Sequence, residues 1–167
     1  MKKAFTLIEI LAVTALCGIL IVSSAISLNK VWQNNQIDVC ESELREIVNG
    51  FKSYFVDYGN IIISDDTNYE TVLNETLNTL NRQYLPYEFA VDSVASDKRS
   101  VSLISKLKTD PWKEKFKIHI YTYDGEDKQS TSGLVVVSSN GIDAKSNLST
   151  YKDNDYGDDI VAIIEPN

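Results

Sequence analysis

The hydrophobic positions of the chain change their pattern once, near residue 28. Residues 5–28 are predominantly apolar, and Glu9 is the one charged residue among them. In residues 29–58, apolar side chains instead recur every three or four positions, with no proline and with Gly50 as the one glycine. The two stretches predict one continuous helix, about 80 Å long if fully helical. Its first half is apolar all round and its second half on one side only, which is typical of a helix that leaves lipid and enters a globular domain.

Residues 5–28 are long enough to cross a membrane, because a span needs about 20 apolar residues. A secretory signal peptide is one simpler interpretation, since Lys2 and Lys3 precede the apolar run, but Glu9 would interrupt an apolar core that is usually only roughly 7–15 residues long. A plain membrane anchor with an incidental acid is the other. A carboxylate inside a membrane helix costs roughly 2.5–3.5 kcal/mol, so Glu9 requires a partner cation or a function.

Beyond residue 58 the pattern predicts shorter elements. Gly59 ends the long helix, and residues 67–80 have the spacing of a second helix. Residues 88–108 are ambiguous. The stretch Ser-Val-Ser-Leu-Ile-Ser, residues 100–105, could form a strand, but we expect a short helix, capped by Ser96-Asp97 and carrying Val101, Ile104 and Leu107.

Two strands are predicted more sharply. Phe116, Ile118 and Ile120 alternate with polar residues, as in a half-buried strand, and residues 134–138 form a second strand. The predicted fold class is therefore α+β: a long N-terminal α-helix, transmembrane in its first half, packed against a small antiparallel β-sheet.

The charge of the chain limits its partners. It carries 24 Asp and Glu against 16 Lys and Arg, a net charge of −8, which argues against nucleic acid. Basic residues nevertheless concentrate in one stretch, which we expect to be a solvated face that complements acidic surfaces of neighbouring subunits. Its members are Lys98, Arg99, Lys106, Lys108, Lys113, Lys115 and Lys117.

Catalytic chemistry has little support. His119 is the only histidine, which excludes a His-based metal site by count, and the seven glycines form no phosphate-binding loop. Cys17 and Cys40 are 23 helical residues apart, roughly 35 Å, which is too far for a disulfide. We expect a protein that is not an enzyme.

The first residues read Met-Lys-Lys-Ala-Phe-Thr-Leu-Ile-Glu, a short basic leader and a small residue before the apolar run. This resembles the class III leader of type IV pilins and of the pseudopilins of type II secretion. In that family a prepilin peptidase cuts before the phenylalanine and methylates the new amine. The resemblance implies a leader of residues 1–4, cleaved between Ala4 and Phe5. Most members have glycine where this chain has Ala4, the nearest small substitute.

Cleavage at this position also gives Glu9 a role. It would create an α-amino group on Phe5, and Glu9 would lie about one helical turn, some 6 Å, further along the axis. In a filament, a neighbour shifted along its axis would present its own amine to Glu9. A costly buried charge would then become an ion pair that sets the register of assembly. Phe5 and Glu9 are the predicted assembly residues.

The C-terminal half resembles the major pseudopilin of type II secretion. The carriers of this resemblance are Asp110-Pro111-Trp112 before a strand, the loop of residues 138–143 and the later Asp159-Ile160. The final loop of that family binds calcium, and Asp143 and Asp159 correspond most directly to its ligands. The sequence from Asn140 to Ala144 departs from the usual Gly-x-Asp-Gly of the family.

The composition of the same loop also favours calcium. Residues 153–159 contain four carboxylates and Gly157. Carboxylates crowded in this way repel one another unless a cation or solvent relieves the repulsion. Ca²⁺ accepts six to eight oxygen ligands in a flexible geometry that suits a loop. A solvated acidic loop is the alternative. The candidate calcium ligands are Asp143, Asp153, Asp155, Asp158 and Asp159.

Together these features predict a structural subunit of a pilus or pseudopilus filament, with type IV pilin and type II secretion pseudopilin both open. The subunit would sit in the cytoplasmic membrane with its head outside the cytoplasm, then enter an extracellular or periplasmic filament. Its partners would be other copies or homologous subunits, the prepilin peptidase and the inner-membrane assembly machinery. The alternative is a singly anchored cell-surface binding protein that never polymerises. The predicted segments are residues 1–4 (leader), 5–28 (transmembrane and assembly helix), 29–58 (amphipathic half of the helix) and 59–167 (globular head with an acidic C-terminal loop).

Overall fold

The computed structural model describes residues 6–59, 61, 69–96, 100–121, 133–145, 156 and 158–164. The chain divides into two compact units, Met1–Ile37 and Asp38–Asn167. The predicted α+β class is confirmed, because a long N-terminal helix packs against an antiparallel sheet of five strands. The elements are α1 (Leu7–Tyr58), α2 (Tyr69–Thr79) with a π-helical turn (Leu80–Tyr84), β1 (Phe89–Val94), β2 (Ser100–Thr109), β3 (Lys115–Tyr121), β4 (Leu134–Ser139) and β5 (Ile160–Ile164).

The first unit consists, in its described part, of the N-terminal portion of α1. Side chains from residue 6 to residue 32 are exposed along its whole circumference. The hydroxyls of Ser23, Ser24 and Ser27 donate hydrogen bonds of 2.8–3.0 Å to carbonyl oxygens one turn earlier. These polar groups therefore find their partners within the helix, as a lipid environment requires. The helix is long and apolar enough to cross a membrane.

In the second unit, the predicted apolar stripe of α1 forms one side of the core. Its buried side chains recur every three or four positions, so they lie on one face of the helix. They pack against the apolar face of the sheet, which includes Phe116, Ile118 and Val137. The buried stripe comprises Cys40, Leu44, Ile47, Phe51 and Tyr54.

The sheet is an antiparallel meander in which the strands follow sequence order. β3 and β4 confirm the two predicted strands, and Phe116, Ile118 and Ile120 are buried as their alternation predicted. The predicted short helix in residues 88–108 is wrong, because β1 and β2 occupy this region. Val101 and Leu103 pair with Ile120 and Ile118 on the buried face. Ser100 and Ser102 alternate with them and lie on the other face, so the period is two and not 3.6.

Two contacts give the direction of β4 relative to the part of α1 that lies in the second unit. Gly59 stops the helix as predicted, with φ +77° and an N–H bonded to the Phe55 carbonyl. A Cβ on Gly133, just before β4, would lie 3.0 Å from the Ile61 carbonyl, while Ser139 at the end of β4 is hydrogen-bonded to Cys40. β4 therefore runs antiparallel to α1, from the C-terminal end of the helix to the part where the unit begins.

Gly50 of α1 lies against the main chain of Tyr84 in the π-helical turn, and we expect Gly50→Ala to destabilise the second unit. Alanine in a helix normally stabilises by about 0.5–1 kcal/mol relative to glycine. Here its Cβ would clash with the main-chain carbonyl of Tyr84, which cannot rotate away. Overpacking costs typically about 1–3 kcal/mol, so the clash outweighs the gain.

The measurement is denaturant unfolding of the full chain in detergent, followed by near-UV circular dichroism. Ser53→Ala, at an exposed position one turn further along α1, is the matched control. A Gly50→Ala protein as stable as the unsubstituted protein would mean that α1 and Tyr84 are not in contact.

Candidate functional site

Glu9 closes a capping box at the start of α1. Its Oε2 accepts hydrogen bonds from the Thr6 backbone N–H at 2.8 Å and from the Thr6 hydroxyl at 2.9 Å. The Glu9 N–H in turn lies 3.4 Å from the Thr6 hydroxyl oxygen. This reciprocal arrangement satisfies donors that the first turn of a helix leaves without partners. Residues Ala4 and Phe5, predicted to flank the cleavage point, lie outside the described residues.

The capping box fixes where the only acid of the apolar stretch points. A carboxylate is favourable at a helix N-terminus because the helix dipole places partial positive charge there. Glu9 remains exposed in the single chain. The arrangement therefore holds an anion at the tip of an apolar helix, where it can accept a bond from a cation of another molecule.

Asp110 is the centre of a second cluster, at the end of the sheet next to Cys40. The side chain is 4% exposed, and its Oδ1 accepts the backbone N–H groups of Trp112 at 3.0 Å and Glu114 at 2.8 Å. Its Oδ2 accepts the Ser139 hydroxyl at 2.5 Å. One carboxylate thus shapes the turn between β2 and β3 and ties that turn to the end of β4.

Ser139 extends this cluster to the next loop and to α1. Its hydroxyl oxygen lies 3.3 Å from the Gly141 N–H, and the Cys40 thiol is its third partner. Burial raises the pKa of the Cys40 thiol to about 11, although the bond to Ser139 opposes the shift. Cys40 is therefore a packed, protonated thiol without nucleophilic character.

The loop after β4 is held against the segment before β5. Gly141 has φ +66°, and a Cβ there would clash with the Asp158 carbonyl, so both the backbone conformation and the close approach call for glycine. Asp158 Oδ2 accepts the Asp143 N–H at 2.9 Å, and Asp143 Oδ1 accepts the Lys145 N–H at 2.8 Å. Asp143 and Asp158, far apart in sequence, are brought together.

The predicted calcium ligands are thus placed in part. Asp143, Asp158 and Asp159 are among the described residues, whereas Asp153 and Asp155 lie outside them. In the part of the chain that the structure describes, no three carboxylate, histidine or cysteine side chains form a group that could hold a metal ion. Of the described carboxylates, Asp143 and Asp158 lie beside each other at the two ends of the acidic loop.

His119 lies on β3. Its ring stacks on Tyr121, with centroids 6.4 Å apart. Burial lowers its pKa, and the charge of Lys117 acts in the same direction, while Asp92 opposes it. The neutral ring is a packing element of the sheet.

The sequence interpretation missed Thr6 and the link from Asp110 to Ser139. The first had a readable signal, because Thr-x-x-Glu before an apolar run is the capping-box pattern. The second had none, since Asp110 and Ser139 are 29 positions apart.

The chain was compared with protein-family models, curated proteins and solved structures, and none of them matches it.

The cluster predicts a graded loss of stability on substitution of Asp110. Asp110→Ala leaves two N–H groups and a buried hydroxyl without their acceptor, so we expect a loss of about 3 kcal/mol or more. Asp110→Asn keeps one acceptor oxygen and should cost about half as much. Urea unfolding of the full chain in detergent measures both, with Asp92→Asn at the exposed β1 edge as control. Equal stability of all three variants would show that the carboxylate does not join the turn to β4.

Proposed function

We propose that this protein is a structural subunit of a membrane-derived filament of the type IV pilin and type II secretion pseudopilin kind. The observation that carries the proposal is the carboxylate of Glu9, capped by Thr6 at the tip of an apolar helix of membrane length. The leader that precedes it resembles a prepilin leader. Processing by a prepilin peptidase before Phe5 would place a new ammonium group one turn from this carboxylate.

The uncovered surface of α1 supports assembly through this helix. Leu7, Leu16 and Leu28 are 79%, 62% and 69% exposed. No residue in the most apolar 18-residue stretch of α1 is buried within the chain. Lipid covers such a surface while the subunit resides in the cytoplasmic membrane. On extraction by the inner-membrane assembly machinery, only the helices of other copies or homologous subunits supply an equivalent apolar environment. The filament would then be extracellular or periplasmic, with the second unit outside the cytoplasm.

Glu9 converts this general attraction into a defined stagger. An uncompensated acid costs roughly 2.5–3.5 kcal/mol within an apolar layer, so neighbouring helices are favoured at the one offset that brings an ammonium group to it. A role of this kind is structural and requires no catalytic residue. The turn at Asp110, tied to the loop at Gly141, is the feature that supports the pseudopilin over the pilin within this family.

We expect Glu9→Ala to separate processing from assembly. In the native host, mass spectrometry of the unsubstituted protein should find an amino-terminal peptide beginning at Phe5, about 14 Da heavier from one methyl group. The Glu9→Ala protein should show the same terminus and insert in the membrane at least as well, because a buried charge is removed. It should yield far less sedimentable polymer. Thr14→Val, which removes a hydroxyl elsewhere in the same helix, is the control.

The alternatives give other results. A singly anchored surface protein would show an intact Met1 and no polymer in either form, and a secreted domain would begin near Ile26. Unchanged polymer in the Glu9→Ala strain would contradict the proposed role of the acid even if processing occurs.

We further propose that the loop between β4 and β5 binds calcium through Asp143, Asp158 and Asp159 together with Asp153 and Asp155. The proximity of Asp143 and Asp158 supports this, as does the density of carboxylates in the loop.

Calcium at 100 times its dissociation constant should stabilise the protein by about 2.7 kcal/mol, and EDTA should remove that gain. Thermal unfolding of the full chain in detergent measures the effect. Asp158→Asn, which retains an oxygen for the Asp143 N–H, should lose it, whereas Asp92→Asn should not. A melting temperature indifferent to calcium excludes the site.

A further inference from the structure

β2 contains a bulge that displays one leucine to solvent. The pairing of β2 with β3 is interrupted between Ile104 and Thr109. Within the interruption the Ser105 hydroxyl donates to the Lys108 carbonyl at 2.5 Å, and the Lys106 N–H donates to the Glu88 carbonyl at 2.9 Å. Leu107, at the crest, is 95% exposed. Bulges commonly re-aim a side chain out of the regular ladder, which is the effect here.

The two residues beside Leu107 are fixed by ion pairs. Lys106 Nζ lies 2.9 Å from a carboxylate oxygen of Glu88. Lys108 Nζ lies 2.5 Å from a carboxylate oxygen of Glu43 on α1 and 5.3 Å from the centre of the Tyr87 ring. The segment that carries Leu107 is therefore held to the residue just before β1 and to α1. Because the residues on both sides of Leu107 are held in place, displaying this side chain to solvent leaves little further backbone entropy to lose when it binds a partner.

A second exposed apolar patch lies at the opposite end of the same unit. Val56 is 84% exposed and Tyr58 is 59% exposed, at the C-terminal end of α1. The Tyr58 ring stacks on Tyr54 with centroids 5.0 Å apart, and Asp57 accepts the Tyr84 hydroxyl at 2.7 Å. The patch is therefore also preorganised. Along α1, Val56 lies 13 residues after Glu43, about 20 Å.

We propose that Leu107 of one copy packs against Val56 and Tyr58 of a second copy of this chain. Among the described residues of the second unit, Leu107 and Val56 are the two most exposed large apolar side chains. Because they lie at opposite ends, each copy offers both halves of the contact. A contact between two different surfaces of the same molecule is not satisfied by one pair of copies, and it propagates into a ring or an open chain. This inference rests on the proposed filament function and names a contact between heads.

Charge favours a second copy as the occupant. Residues 106–117, around Leu107, contain five lysines and two acids, and Glu43 and Glu88 pair with two of these lysines, so this end keeps a small positive excess. Apart from all of these, residues 38–167 contain 19 acids and eight basic residues. A second copy therefore offers this basic end a predominantly acidic partner, and contact between two basic ends is disfavoured. Leu107 would form the apolar centre of the contact, with the lysines at its polar rim. An anionic lipid surface would also attract the lysines, but it would leave the exposed patch at Val56 without a partner.

The test is cysteine cross-linking in the native host, using the full chain in a Cys17→Ala background. Cys40 is retained, because it is fully buried. A disulfide requires Cβ atoms about 3.5–4.5 Å apart, so it reports a direct contact. A protein carrying both Leu107→Cys and Val56→Cys should oxidise to a ladder of dimers, trimers and higher species. Each single variant should remain monomeric, as should the control pair of Leu107→Cys with Val91→Cys.

Other outcomes overturn the proposal and remain distinguishable from failure of the filament function. Dimers of the Leu107→Cys single variant would show that the bulges face each other. A sedimentable polymer without a ladder would exclude this contact and leave the filament standing, while absence of both would remove the two proposals together. Leu107→Cys labelled with an environment-sensitive fluorophore is also placed in phosphatidylcholine vesicles with and without phosphatidylglycerol. A blue shift only with the anionic lipid would identify lipid as the occupant instead.

Discussion

The packing of one stripe of α1 against the sheet is the interaction on which the rest of the second unit depends. Leu44, Ile47 and Phe51 are at most 2% exposed, and each such side chain contributes about 1.5–3 kcal/mol by burial. Gly50 lies beside the stripe and lets the Tyr84 backbone reach the helix. The N-terminal portion of the same helix has no such cover within the chain. That portion therefore still has burial free energy to gain, from lipid or from other helices.

The cluster around Asp110 holds the sheet ends in place without a covalent bridge. Cys17 and Cys40 are both free, so no disulfide joins the loops. A buried carboxylate with three donors makes charge-assisted hydrogen bonds, which are the stronger class, and here they link segments 29 positions apart. Through Ser139 the link continues to Gly141, whose close approach to Asp158 anchors both limbs of the acidic loop. The turn between β2 and β3 and the loop after β4 are therefore held together by one set of hydrogen bonds.

The predictable parts of this fold are those with a local period. The stripe of α1, the alternation in β3 and the stop at Gly59 follow from spacing and backbone freedom alone. β1 and β2 were misread because serines carry little period signal and because Val101 and Leu103 gain their environment from strands later in the chain. The exposure of Leu107 depends on a bulge set by Ser105 and by ion pairs to Glu88 and Glu43. Such tertiary contacts leave no spacing in the sequence, and the same holds for Asp110 and Ser139.

The capping box changes the energetic meaning of Glu9 in the proposed filament. Without the cap, an ion pair with a neighbour would have to offset the whole free-energy cost of a carboxylate in an apolar layer. Here Thr6 already supplies two donors to Oε2, within the helix that carries the acid. A carboxylate accepts further bonds through its other oxygen, so an ammonium group can add at Oε1 while the cap persists. The intermolecular pair then selects between registers more than it supplies cohesion, and cohesion comes from the apolar surfaces of the helices and from contacts between heads.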